Sequence, residues 1–304
     1  MLFKKKPLEI AIIAGCQSEG LKVSTQALLP KASVSAWHVG VHPADTPEVI
    51  LEKLKDFDWV LTQITPGPGL EILQLENLQR QLKRVHFMPT VVFGGFHPDV
   101  SYVNTPHGLV SAVHSDFHSK IAVAGFLLGL SPSRTLRLYN TVVFEELDYF
   151  DIFETSRIAM DEALHELGFE VDGMFEGWLR DIGPFMYMIN HPNVSLLAAL
   201  CRDLYIRLGL LPPGSGMPKI TKDHLSESFT WPLYPPLAKR LGLKGSWNFQ
   251  RPAWLVAKGA RDLPLEQYLE DVFNFYQTLD RSSLENPDIL EIRDKIAGLL
   301  VSAV

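Results

Sequence analysis

Cysteine is scarce in this chain: Cys16 and Cys201 are the only two among 304 residues. Two thiols cannot build a disulfide framework or a Cys-based zinc site. They read as reduced thiols in a reducing, cytoplasmic compartment. Positive charge is also short, with 28 lysines and arginines against 35 acidic residues and a net charge of −7. Nucleic acid is therefore not an expected partner, because phosphate binding needs a basic face. The one basic run, Lys4-Lys5-Lys6, lies at the start and reads as a solvated end. No apolar stretch reaches the roughly 18 residues of a membrane helix. Ile13-Ala14-Gly15-Cys16 resembles a lipoprotein start, but Glu9 breaks the apolar segment that a signal peptide requires.

What is present is ordinary globular composition, 46% apolar and 21% charged, in a chain long enough to bury its own core. Strand and helix signals alternate through the first hundred residues. Residues 8–14 read as a buried strand and 17–29 as a helix; 34–39 read as a second strand. Thr46 and Pro47 then open a helix to about residue 55. Residues 59–62 form a third expected strand, Pro66 to Gly69 a turn, and 70–83 a helix. Residues 90–93 form a fourth expected strand, ending in Gly94-Gly95. Such alternation predicts an α/β fold, a mostly parallel sheet flanked by helices, with ligands beyond the carboxyl ends of its strands.

The rest reads as mainly helical: 114–128, 153–167, 192–208, 265–279 and 287–300, with a strand at 185–189. The expected division is an α/β catalytic core with a helical insertion over 1–210 and a mainly helical region over 211–304. Cys201 falls on the apolar stripe of the 192–208 helix and reads as a core residue.

Four short motifs could carry chemistry. Cys16 ends the first strand just before a helix, where backbone N–H groups and the helix dipole favour a thiolate and could hold an oxyanion. Read from spacing alone, a small buried hydrophobe is an equal alternative. Gly95-Phe96-His97-Pro98-Asp99 follows the fourth expected strand, and Gln63 follows the third. Asn190-His191-Pro192-Asn193 precedes the best helix, with Asn190 or His191 at its cap; His191 is a possible base for a thiol. His107, His114, Asp116 and His118 also cluster, with His114 and His118 on one expected helix face, but no metal is expected there.

Gly15-Cys16-Gln17, Thr62-Gln63, Gly95 to Asp99 and Asn190 to Asn193, in this order, resemble the WcbI family of capsular polysaccharide biosynthesis proteins. Gly15 stands where that family's pattern has Asn. The resemblance implies a Rossmann-like or SGNH-like core that binds coenzyme A as acetyl-CoA and acts as an acetyltransferase on a saccharide acceptor. It implies Cys16 as nucleophile, His191 or His97 as base with Asp99 in the catalytic set, and Gln17, Gln63, Gly95, Asn190 and Asn193 near the oxyanion or substrate. The alternatives are a thiol hydrolase or esterase of SGNH-like type, and a non-catalytic CoA- or saccharide-binding module.

Overall fold

Glu9–Ala14 forms the first strand, β1, and residues 10–14 in it are wholly buried. A strand walled in on both faces has no polar side to show, and its sequence after Glu9 is accordingly an unbroken apolar run. This computed structural model describes residues 6–39, 45–65, 67–105, 108–257 and 260–302. Lys4, Lys5, Pro66 and His107 lie outside the described residues.

Around β1 the chain builds strand–helix–strand units in turn. Helix α1 (Ser18–Leu28) leads to β2 (Ser33–His38), and α2 (Pro47–Leu54) leads to β3 (Trp59–Thr62). The Thr46 hydroxyl accepts the Val49 N–H at 3.4 Å and starts α2 where the Thr-Pro signal predicts. A short 3-10 turn and α3 (Leu75–Gln81) then reach β4 (Val85–Phe87). All four strands are parallel, in the order β2-β1-β3-β4. Ala11, Ile13, Val60 and Val85 pack with Ile50, Leu54 and Leu78 in one core.

This order has a functional consequence. From β1 the chain passes to β2 on one side, then returns across β1 to β3 on the other. The crevice between the carboxyl ends of β1 and β3 is the switch point, where open α/β sheets bind their ligands.

The fourth strand differs from expectation. It lies at Val85–Phe87, and residues 90–93 form no strand. The Val91 backbone is bonded instead to a side-chain amide, described below.

Helices α4 (Lys120–Leu127), α5 (Pro132–Leu136), α6 (Thr141–Glu146) and α7 (Ile152–Glu166) follow, then α8 (Met174–Asp181) and α9 (Val194–Arg207), and finally α10 (Pro235–Arg240), α11 (Leu265–Tyr276) and α12 (Pro287–Ser302). The expected 114–128 helix begins only at Lys120. His118 lies in a short strand, Phe117–Ser119, and the Ser119 hydroxyl caps α4 by accepting the Ala122 N–H at 3.0 Å. His114 and His118 thus share no helix face. Imidazole nitrogens of His114 bond Asp271, and those of His118 bond Tyr276 and the Val110 carbonyl.

The chain divides into two compact units, each assembled from separate stretches. The first comprises 1–92, 160–185 and 190–225; the second comprises 93–159, 186–189 and 226–304. In the first, α9 packs on α1, and Gly20 is the point of closest approach: a Cβ there would lie 2.6 Å from Leu197 Cδ1. In the second, α4 packs against α5, α11 and α12, which ties the 93–159 stretch to the C-terminal helices. The architecture is a mixed α/β fold. Among the described residues, no helix is long and apolar enough to cross a membrane.

Candidate active site

Cys16 stands two residues beyond the end of β1, and Gln63 directly follows β3, so both reach the switch point. The Cys16 side chain is exposed on one side and set against protein on the other. Its sulfur lies 3.7 Å from the backbone carbonyl of Asn190. Burial pushes the thiol pKa up, and hydrogen bonds from the backbone N–H groups of Cys16 and Gln17 pull it the other way without prevailing. The surroundings thus work against the thiolate that its place before a helix suggests.

Gln17 and Gln63 are buried beside it. Gln17 Nε2 donates to the carbonyls of Val91 at 2.8 Å and Asn190 at 3.1 Å. Gln17 Oε1 accepts from the Val91 N–H at 3.2 Å and from Gln63 Nε2 at 3.0 Å. The second Gln63 proton goes to the Pro89 carbonyl at 2.8 Å. Both amide groups thus spend both their protons on protein acceptors. Gln17 meets the Val91 backbone with a donor and an acceptor, as a neighbouring strand would, so the Val91 backbone is satisfied without a strand partner.

A cavity of about 280 Å³ opens at this point, bordered by Cys16, Gln17, Gln63, Thr65, Leu70 and Asn190. Asn193 has a different place. Its side chain accepts the Leu196 N–H at 2.9 Å and caps α9. The helix starts at Val194, later than Pro192 suggests, because Asn193 and Asp223 take the first free N–H groups. His191 directly follows the residue whose carbonyl faces the thiol. Burial lowers its pKa to about 4, so it is neutral near pH 7.

His97 and Asp99 belong to the second unit. His97 is 3% exposed, and its Nε2 lies 3.2 Å from the Trp231 carbonyl, which sets the proton on Nε2. Nδ1 has no hydrogen-bond partner among the described residues. Burial lowers this pKa to about 4 as well, against the Trp231 bond. Asp99 is wholly buried, and its oxygens are bonded to groups other than His97. Oδ1 accepts from Tyr149 at 2.9 Å and the Ile121 N–H at 3.0 Å, and Oδ2 accepts from Tyr234 at 3.1 Å. Burial raises its pKa over the opposing pull of these bonds. Gly95 is held by packing, since a Cβ there would come 2.8 Å from the Phe153 Cα.

Two expected results arise here. Mild alkylation of the folded protein followed by peptide mapping labels Cys16 and spares Cys201. The latter is fully buried on α9, its pKa pushed up to about 12 by burial. Preferential labelling of Cys201 would contradict this. Acid also weakens the fold through His97. Below pH 6.5 the unfolded chain binds a proton there that the folded chain refuses until about pH 4. The loss accrues across that window and amounts to on the order of 3 kcal/mol at its lower end. Asp99 works in the opposite sense, since its raised pKa lets the folded state take up a proton first. Urea titrations of wild type and His97→Gln at pH 7 and pH 4.5 separate the two. Equal pH dependence in both proteins would exclude the His97 contribution.

The tyrosine partners of Asp99 and the backbone acceptors at Pro89, Val91 and Asn190 escape sequence reasoning. A carbonyl carries no residue signature, and Tyr149 and Tyr234 are 85 positions apart.

The family model described as polysaccharide biosynthesis enzyme WcbI matches residues 9–213. A solved structure of WcbI, described as a polysaccharide biosynthesis enzyme in its native form without a disulfide bond between coenzyme A and a cysteine, aligns with a TM-score of 0.72. The two chains are 14% identical, and the alignment covers 95% of this chain and 99% of that one, a likeness of fold. No curated protein sequence matches. The match over residues 9–213 takes in Cys16, Gln63, His97 and His191, and the chain belongs to the WcbI family of polysaccharide biosynthesis enzymes.

Proposed function

We propose that this protein is a coenzyme A-dependent acyltransferase, an O-acetyltransferase acting on a saccharide, with Cys16 as nucleophile. The observation that carries this reading is a thiol at the switch point of a parallel sheet, in a cavity, directed at the carbonyl beside His191. The description of the related structure names coenzyme A and a cysteine, in a form without a disulfide between them, and this supports the choice of coenzyme A as the ligand.

The chemistry follows from the charge states. A neutral thiol is a weak nucleophile, so a base must take its proton as the substrate binds. His191 adjoins the residue bonded to the thiol, which favours it as the base; His97 is the second candidate base. The sulfur attacks the thioester carbonyl carbon, the bond to the coenzyme A sulfur breaks, and the histidine returns the proton to that leaving thiolate. A saccharide hydroxyl then attacks the acyl-cysteine, its proton passes to the histidine, and the regenerated thiol recovers it. Backbone N–H groups of Cys16 and Gln17, which already face the sulfur, suit the developing oxyanion. Gln17 and Gln63 position the walls of the site, since their amide protons are engaged. An SGNH-like arrangement accommodates the same steps.

Calorimetric titration with coenzyme A, paired with intact mass after incubation with acetyl-CoA alone, tests the proposal. Binding, with one acetyl group retained on Cys16, is the expected result. Absence of binding at low salt would remove the reading, and acetyl-CoA hydrolysis that needs no acceptor would favour a thiol hydrolase.

A further inference from the structure

The second unit holds a groove of about 890 Å³ that the acyl-transfer chemistry does not use, within the size range of small-molecule sites. It lies among α5, the start of α6 and the last turn of α12. Leu138 and Val143 are buried at its base, Leu299 is half-buried on the α12 side, and Val142 stands at the edge, 64% exposed. Arg134 and Arg137 also line it, both exposed, and among the described residues neither has a carboxylate partner. No acidic residue borders the groove, although the chain as a whole carries a net charge of −7.

These features select a ligand. An inorganic anion would use the guanidinium pair but gain nothing from the apolar base. A neutral hydrocarbon would use the base but leave two cations unmatched. An apolar groove wall next to arginines that have no carboxylate partner is satisfied as a whole only by a molecule with both characters. Planar guanidinium groups bind phosphate oxygens in pairs, which favours that head group. We propose that this groove binds a single-chain anionic amphiphile, its alkyl chain on Leu138, Val143 and Leu299 and its phosphate head on Arg134 and Arg137. The proposal is independent of the acyltransferase reading.

The probe is dodecyl phosphate below its micelle concentration, titrated calorimetrically into the full chain, with hydrogen exchange to locate it. Expected are binding of one molecule per chain and slowed exchange in 130–143 and 296–302. The Arg134→Gln/Arg137→Gln double variant and the neutral-headed dodecyl maltoside should each bind about tenfold more weakly or worse. Val142→Asp, an exposed change, should weaken binding as well and provides a second test should the double variant misfold. Inorganic phosphate alone should not bind measurably. Equal affinity for the neutral amphiphile or in both variants would overturn the proposal. So would phosphate binding as tightly as the amphiphile, adsorption to anionic vesicles without binding of the monomeric probe, or displacement of the probe by coenzyme A.

Discussion

On the proposed acyltransferase reading, Cys16→Ala should lower acyl transfer by several orders of magnitude in turnover while leaving coenzyme A affinity close to that of the wild type. The asymmetry reflects where each interaction acts. Coenzyme A is long, and most of its surface lies away from the thioester, so one small side chain adds little to ground-state binding. A nucleophile exerts its effect in the transition state. Losses of this size follow from removing an essential member of a catalytic set, and such members act as a unit. His191→Ala should therefore match Cys16→Ala, and the double variant should be no worse than either. Cys16→Ser should also be impaired, because an alcohol needs still fuller activation by its base. The measurement is transfer from acetyl-CoA to a capsule-type saccharide, beside coenzyme A titrations on each variant. Wild-type turnover in Cys16→Ala would move the chemistry to a histidine that deprotonates the sugar hydroxyl for direct attack. Wild-type turnover in His191→Ala with a loss in His97→Ala would assign the base to His97.

Asp99→Ala should destabilise the protein by about 3–5 kcal/mol, the range for opening a buried, charge-accepting network. Its carboxyl group accepts from Tyr149, Tyr234 and the first turn of α4, all buried. Alanine would leave three donors without an acceptor in a site that water does not reach. Asp99→Asn should cost less, about 1–2 kcal/mol, because the amide oxygen keeps part of the set and a tyrosine hydroxyl can turn to accept from the amide nitrogen. Urea denaturation measures both. An alanine variant as stable as the wild type would show that the network is dispensable. Turnover separates framework from chemistry: an Asn variant that folds well yet loses activity would return Asp99 to the catalytic set.

Gln17 shows how a local pattern and a tertiary contact diverge. Thr90 to Phe93 has the apolar, β-branched character of a strand, and its sequence is a sound argument for one. The backbone of Val91 nevertheless finds its donor and acceptor in a glutamine side chain 74 positions away. Periodicity reports which residues are buried, and Val91 is buried, but it does not report which partner satisfies the backbone. The 114–128 segment diverges likewise. It is apolar at helical spacing, yet a strand pairing between Val100–Tyr102 and Phe117–Ser119 holds its start until Ser119 caps α4.

The sequence by itself determined β1, β2, β3, α1, α2 and the long helices, because their signals are local: apolar runs of strand length, a Thr-Pro cap, helical stripes. It determined that Cys16 and Gln63 follow strands, and that Cys201 lies inward on a helix. Only the tertiary structure decided that β1 and β3 are neighbours, and therefore that Cys16 and Gln63 share a crevice. Strand order depends on which edge each crossover returns to, and residues distant in the chain settle that choice. Tertiary structure also decided the direction in which the cysteine pKa is pushed. A helix start favours a thiolate, but desolvation at the site outweighs it, and desolvation depends on every segment packed around the sulfur.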